Sequence, residues 1–202
     1  MYEDVVIVNA NGIAYPNNAS YSWACFDHPG FREEAERYIR TIVGRYKGRK
    51  GLFGYQIHNE VGFPFMPLQS GEMEIYCYCE HSIKAFRRWL ENKYGHIEEL
   101  NEAYRWNATN ERYTSFDQVD APKAAPTAWS SVTRWIDWRK FWMDNTAAFV
   151  KWQNDIIKQL DKEHPTTTNT FFMKSQDPFG VRMGLDQMKI AQSVDMFGID
   201  IY

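Results

Sequence analysis

The dipeptide Asn-Glu occurs three times in the chain, as Asn59-Glu60, Asn101-Glu102 and Asn110-Glu111. A carboxyl beside an amide is a small acid/base unit: the carboxyl moves a proton while the amide hydrogen-bonds a neighbouring hydroxyl. The three pairs differ in context. Asn101-Glu102 and Asn110-Glu111 fall in helix or loop patterns and read as surface pairs. Asn59-Glu60 follows a short apolar run, residues 52–57, and precedes a long loop carrying Phe63, Phe65 and Met66. At the end of a buried strand, in an aromatic cleft, desolvation raises a carboxyl pKa towards that of a general acid. The alternative for Glu60 is an ordinary solvated loop carboxylate. Glu33-Glu34 and Glu98-Glu99 read as solvated helix faces.

Cys25, Cys77 and Cys79 are the three cysteines. An odd number argues against a closed disulfide framework. Cys77 and Cys79 flank a single residue and are not expected to pair. On composition alone they read as reduced thiols of a cytosolic-type protein. The run Lys47-Gly48-Arg49-Lys50-Gly51 could bind an anion, but cations beside glycine stops fit a helix C-terminus better.

The elements that must position these groups follow from periodicity. Residues 5–8 are a β-branched run closed by Asn11-Gly12. After a loop, Asp27 or His28 caps a helix opened by Pro29, with Phe31, Ala35, Ile39, Ile42, Val43 and Tyr46 on one face. Residues 52–57 lack alternation and read as a strand buried on both faces. Helices are expected over residues 83–94 and 97–104, then a loop to residue 131. A long helix follows over 132–160, stopped before Pro165. Residues 166–172 read as a second buried strand, 185–192 as a helix and 196–202 as a third strand. Strands alternating with helices predict an α/β fold with a parallel sheet.

In such sheets ligands meet the C-terminal ends of the strands. Those ends carry Asn59 and Glu60, then Asn169, then Asp200. Asparagine there can hold a sugar hydroxyl, and the loop tryptophans Trp23, Trp106 and Trp129 can stack on a sugar face. Trp89, Trp135, Trp142 and Trp152 fall on helices, where core packing is the expectation.

Composition narrows the class. Over 202 residues, 44% hydrophobic and 16% aromatic content rule out a disordered chain. A net charge of −3 leaves no bulk basic field for nucleic acid. No run reaches the roughly 18 apolar residues of a membrane span. The acidic start at Glu3-Asp4 lacks the basic region of a signal peptide, and the expected location is cytoplasmic. No GxGxxG or P-loop motif is present.

Gly54-Tyr55-Gln56-Ile57-His58-Asn59-Glu60-Val61-Gly62 resembles the strand-four signature of family-42 glycoside hydrolases, the bacterial β-galactosidases. The resemblance continues through Asp27-His28-Pro29, Cys77-Tyr78-Cys79, Ala85-Phe86-Arg87-Arg88-Trp89-Leu90, Lys93-Tyr94-Gly95, Tyr113-Thr114-Ser115-Phe116 and Thr168-Asn169. It covers nearly the whole chain. It implies a (β/α)8 barrel, retaining hydrolysis of terminal β-galactosides and a homotrimer. Glu60 would be the acid/base residue, Asn59 would bind the hydroxyl beside the anomeric carbon, and Trp106, Asn169 and Asp200 would be secondary substrate contacts.

By register, residues 1–202 correspond to about strands 4 to 6 of a TIM barrel with their helices, an incomplete catalytic domain. The nucleophile is then expected beyond the chain end. The family's four-cysteine zinc site is matched by Cys25, Cys77 and Cys79, with Ser82 at the fourth position and His81 as a neighbouring substitute; the competing reading is a degenerate site that holds no metal, and catalysis itself needs no cofactor. Other departures bear on the sugar. Tyr21 and Ser22 stand where the family has arginines, Val61 stands where tyrosine follows the glutamate, and residues 104–109 replace a Trp-Gly-Thr-x-Phe-Trp segment. Decay to a non-catalytic carbohydrate-binding segment, or a different β-glycoside as substrate, are the competing readings.

Overall fold

The structure is a computed structural model that describes residues 5–14, 24–62, 76–105, 112–127, 129–171 and 183–201. The order expected from residue 29 onward is observed. Helix α1 spans Pro29–Tyr46, strand β1 Tyr55–Gln56, α2 Glu80–Tyr94, α3 Ile97–Tyr104, α4 Val132–Leu160, β2 Thr166–Phe171, α5 Gln187–Ala191 and β3 Met196–Asp200. Local chemistry sets the ends. His28 Nδ1 accepts from the Gly30 amide at 3.1 Å and Pro29 occupies the first turn, so α1 is capped by His28 rather than Asp27. Ser131 Oγ accepts from the Arg134 amide to open α4. The α1 end at residue 47 leads into Gly48, with φ of +72°, which confirms the glycine stop in the basic run.

The three strands form one parallel sheet in the order β1-β2-β3, with Tyr55 opposite Thr166 and Asn169 opposite Gly198. Three details differ from expectation. Residues 5–8 form no strand; Val6 pairs with Ala24 and Val8 with Ala14 in isolated antiparallel bridges. Strand β1 is two residues long, although backbone bonds from Tyr55 to Pro165 and from Ile57 to Thr167 extend its contact with β2. The strands are also not buried on both faces. Thr166, Thr168 and Thr170 are buried, while Thr167 and Asn169 between them are half-buried. The side-chain period of two puts alternate residues on opposite faces, and the helices cover one of them. Gln56, Thr167, Asn169, Met196 and Asp200 line the other.

The covered face is a helix-to-sheet core. Val43 of α1, Tyr55 of β1 and Ile157 of α4 pack together. Val61, Ala147, Val150, Leu185 and Ile190 form a second cluster with Phe197 against it. The largest cluster joins the helices: Phe86 and Leu90 from α2, Leu100 and Tyr104 from α3, and Trp138, Phe141, Trp142 and Phe149 from α4. The α4 residues recur at three- and four-residue steps, the spacing of a helix face. Trp138 and Trp142 are fully enclosed, so the aromatic content is chiefly packing. Among the described residues no helix is long and apolar enough to cross a membrane.

Candidate active site

The buried threonines of β2 explain how a polar strand sits in a core. Thr166 Oγ1 donates to Asn154 Oδ1 at 2.7 Å, Thr168 Oγ1 to the His58 carbonyl at 3.0 Å, and Gln187 Nε2 donates to Thr170 Oγ1 at 2.8 Å. A buried hydroxyl with a partner carries little penalty. The Thr168 bond also clamps the backbone that leads out of β1 into Asn59 and Glu60. The His58 ring lies 5.6 Å from the Phe149 ring, and burial pushes its imidazole below the ordinary value. The ring thus packs against α4.

Four sequence candidates converge where the strands end. Asn169 Nδ2 donates to Asn59 Oδ1 at 3.2 Å and to Asp200 Oδ2 at 2.6 Å. Its Oδ1 accepts from the Glu60 amide at 3.2 Å. Gln56, which the sequence pattern had absorbed into an apolar run, donates from Nε2 to the same oxygen at 3.1 Å. Its polarity inside residues 52–57 was the available signal for an open-face position. Gly198, facing Asn169 across the ladder, leaves room for it: a Cβ there would stand 3.3 Å from Asn169 Cβ.

Glu60 is half-buried and Asn59 exposed. Glu60 has a φ of +51°, the one left-handed residue other than glycine among the described residues. Backbone in this region costs roughly 1 kcal/mol or more for a residue with a Cβ and clusters at functional sites. The turn sends the following residue, Val61, into the core at 2% exposure. The family's tyrosine position is thus a packing position in this chain.

Other candidates lie elsewhere. Trp106, Trp23, Tyr21 and Ser22 fall outside the described residues, as do Phe63, Phe65 and Met66. Trp129 is 73% exposed beside a cavity of about 240 Å³ lined by Tyr104, Tyr113, Arg134 and Trp135, away from the Asn169 contacts.

The cysteines also converge. The sulfurs of Cys25, Cys77 and Cys79 all lie within 4.8 Å of one another, with Cys25 and Cys79 3.4 Å apart. Ser82 Oγ stands 3.2 Å from Cys25 Sγ and 3.6 Å from Cys79 Sγ, and donates to Asp27 Oδ2 at 2.8 Å. Asp27 is held in turn by Asn145 Nδ2 at 3.1 Å, and its burial raises its pKa. The hydroxyl proton is directed to Asp27, so the oxygen lone pairs are left towards the sulfurs. Hydrogen bonds from Cys25 and Cys77 hold the Cys79 thiol well below its ordinary value, whereas Cys25 is pushed up by its bonds to Cys77 and Cys79 and by burial. His81 does not join the group; its ring meets His28 edge-on at 4.7 Å. Three sulfurs and an oxygen around one centre suit a thiophilic divalent cation.

Comparison with known proteins gives the family. The family model for β-galactosidases of glycoside hydrolase family 42 matches residues 1–202. The β-galactosidase of Thermus thermophilus is 33% identical over 178 residues, covering 88% of this chain and 25% of that protein. BgaB of Geobacillus sp. (strain Y412MC61) is 27% identical over 201 residues, covering 100% and 27%. The crystal structure of the β-galactosidase from Bacillus circulans sp. alkalophilus superposes with a TM-score of 0.80 at 26% identity, over 100% of this chain and 27% of that one. The chain thus spans about a quarter of the length of these relatives. The three-stranded parallel sheet with its helices is an arc of their (β/α)8 barrel, and the chain belongs to the family-42 glycoside hydrolases.

Proposed function

We propose that this chain supplies the acid/base half of a retaining glycosidase site that acts on terminal β-galactosides. The convergence of Asn59, Glu60, Asn169 and Asp200 at the strand ends carries the reading. Glu60 protonates the departing glycosidic oxygen and, in the second step, takes a proton from the attacking water. Asn59 hydrogen-bonds the hydroxyl beside the anomeric carbon. Asp200, hydrogen-bonded to Asn169, is proposed as a secondary contact and Trp106 as an aromatic platform. Retention requires a nucleophilic carboxylate about 5–5.5 Å from the acid/base group; no residue of this chain is assigned to that role. The substrate is a carbohydrate, and the assembly proposed by family likeness is a trimer.

Glu60→Gln in the full-length gene product tests the assignment. The expected result is a loss of about a hundredfold or more in hydrolysis of alkyl β-galactosides. Unchanged hydrolysis would falsify it, and activity on other aryl glycosides but not galactosides would move the specificity.

The cysteine cluster is proposed to hold one structural zinc ion. Cys25, Cys77 and Cys79 would be its sulfur ligands and Ser82 Oγ its fourth donor. Zinc there ties two segments together and takes no part in proton transfer.

A further inference from the structure

Asn169 has one carbonyl oxygen with two lone pairs and one amide nitrogen with two hydrogens. All four positions are filled by protein. Oδ1 accepts from the Glu60 amide and from Gln56 Nε2, and Nδ2 donates to Asn59 Oδ1 and Asp200 Oδ2. Two partners fix which end is which. The Glu60 backbone N–H can only donate, so it must meet oxygen. Asp200 presents a carboxylate oxygen, which accepts from nitrogen. With Asn169 locked in this sense, the Asn59 atom facing its nitrogen must be Oδ1. Asn59 is thereby oriented with its own NH2 as the end left for a ligand. The same Asn169 oxygen holds the left-handed backbone of Glu60 through its amide.

We propose that Asn169 is a positioning residue for the acid/base pair, not a sugar contact, and that Gln56 supports it by occupying the second lone pair. Asn169 acts through Glu60, whose carboxyl it aims, and through Asn59, whose amide it orients. The inference rests on the assignment of Glu60 as general acid. It leaves the Asn59 NH2 facing the ligand: the sugar oxygen it meets accepts a hydrogen bond.

A series of β-galactosides with leaving groups from dinitrophenol to methanol separates the alternatives. General acid assistance matters most where the leaving oxygen is a poor one. In the full-length gene product, kcat/KM of Asn169→Ala should fall about a hundredfold for methyl β-galactoside and little for the dinitrophenyl compound, the pattern of a misaimed acid. Glu60→Gln is the reference and should show the same gradient, more steeply. Asn169→Leu keeps the volume but removes the acceptor that holds the Glu60 amide, so it should show the gradient even if the alanine variant folds poorly. Gln56→Ala should give a shallower version of it. A loss uniform across leaving groups in both Asn169 variants, with Glu60→Gln graded, would overturn this inference alone. A Glu60→Gln variant without a gradient would remove the acid/base assignment itself.

Discussion

At the scale of single residues, carboxylates of this chain take different roles according to the donors around them. Asp161 is the clearest structural case. Burial alone would raise its pKa, but the Tyr55 hydroxyl at 2.8 Å and the His164 and Glu163 amides at 3.2 and 3.1 Å outweigh that and hold it down at about 2. Its partner Tyr55 is pushed up to about 12, by burial first and then by its bond to Asp161. A carboxyl depressed in the folded state stabilises it above the unfolded pKa of about 3.9, and that contribution is lost as pH falls through the folded value. Thermal melts between pH 5 and pH 2 should show stability declining across the window from about 4 to 2. Asp161→Asn should lower the melting temperature at pH 5 and flatten the decline. Superimposable curves for the two proteins would contradict this. Glu60 and Asn59 were legible as candidates because a strand pattern ends at them. The hydrogen bonds of Gln56 and Asn169 were not, since they form only where three segments meet.

At the scale of elements, Asp137 of α4 is the joint between helices. It is buried at 1% exposure, pairs with Lys93, and accepts from the Tyr94 hydroxyl at 2.6 Å and the Tyr104 hydroxyl at 3.1 Å. One carboxylate thus ties α2 and α3 to α4, and burial beside it raises the pKa of both tyrosines. Asp137→Ala strands these donors in the core and should cost about 2–3 kcal/mol, read from the denaturant midpoint. A change below about 0.5 kcal/mol would place the joint in the aromatic packing instead. The helices themselves were readable, because their apolar residues keep a period that only one geometry satisfies. The strands were readable as strands but not in their burial. A threonine-rich segment gives no periodic apolar signal, and only the helices over one face decide which threonines are covered.

At the scale of the whole molecule, the cysteine cluster joins segments far apart in sequence. Cys25 precedes α1 and Cys79 caps α2, 54 positions away. Metal bound there is folding free energy, because the unfolded chain offers no preformed site. Purified protein should carry about one zinc ion per chain, and chelation should lower its melting temperature. Zinc well below one per chain, with a melting curve indifferent to chelator, would instead mark a thiol cluster that packs without metal. Cys25→Ser should reproduce the effect of chelation. The amino-acid sequence by itself determined the order of helices and parallel strands, the strand ends where chemistry collects and the family to which the chain belongs. Each of these is written in local periodicity or in short motifs. The tertiary structure alone decided that Ser82, not His81, stands at the fourth corner of the cluster. It decided likewise that Val61 turns into the core and that the Asn169 amide meets Asn59, Glu60 and Asp200. Those outcomes depend on directions of side chains brought together from distant segments, and direction is settled only when the segments pack.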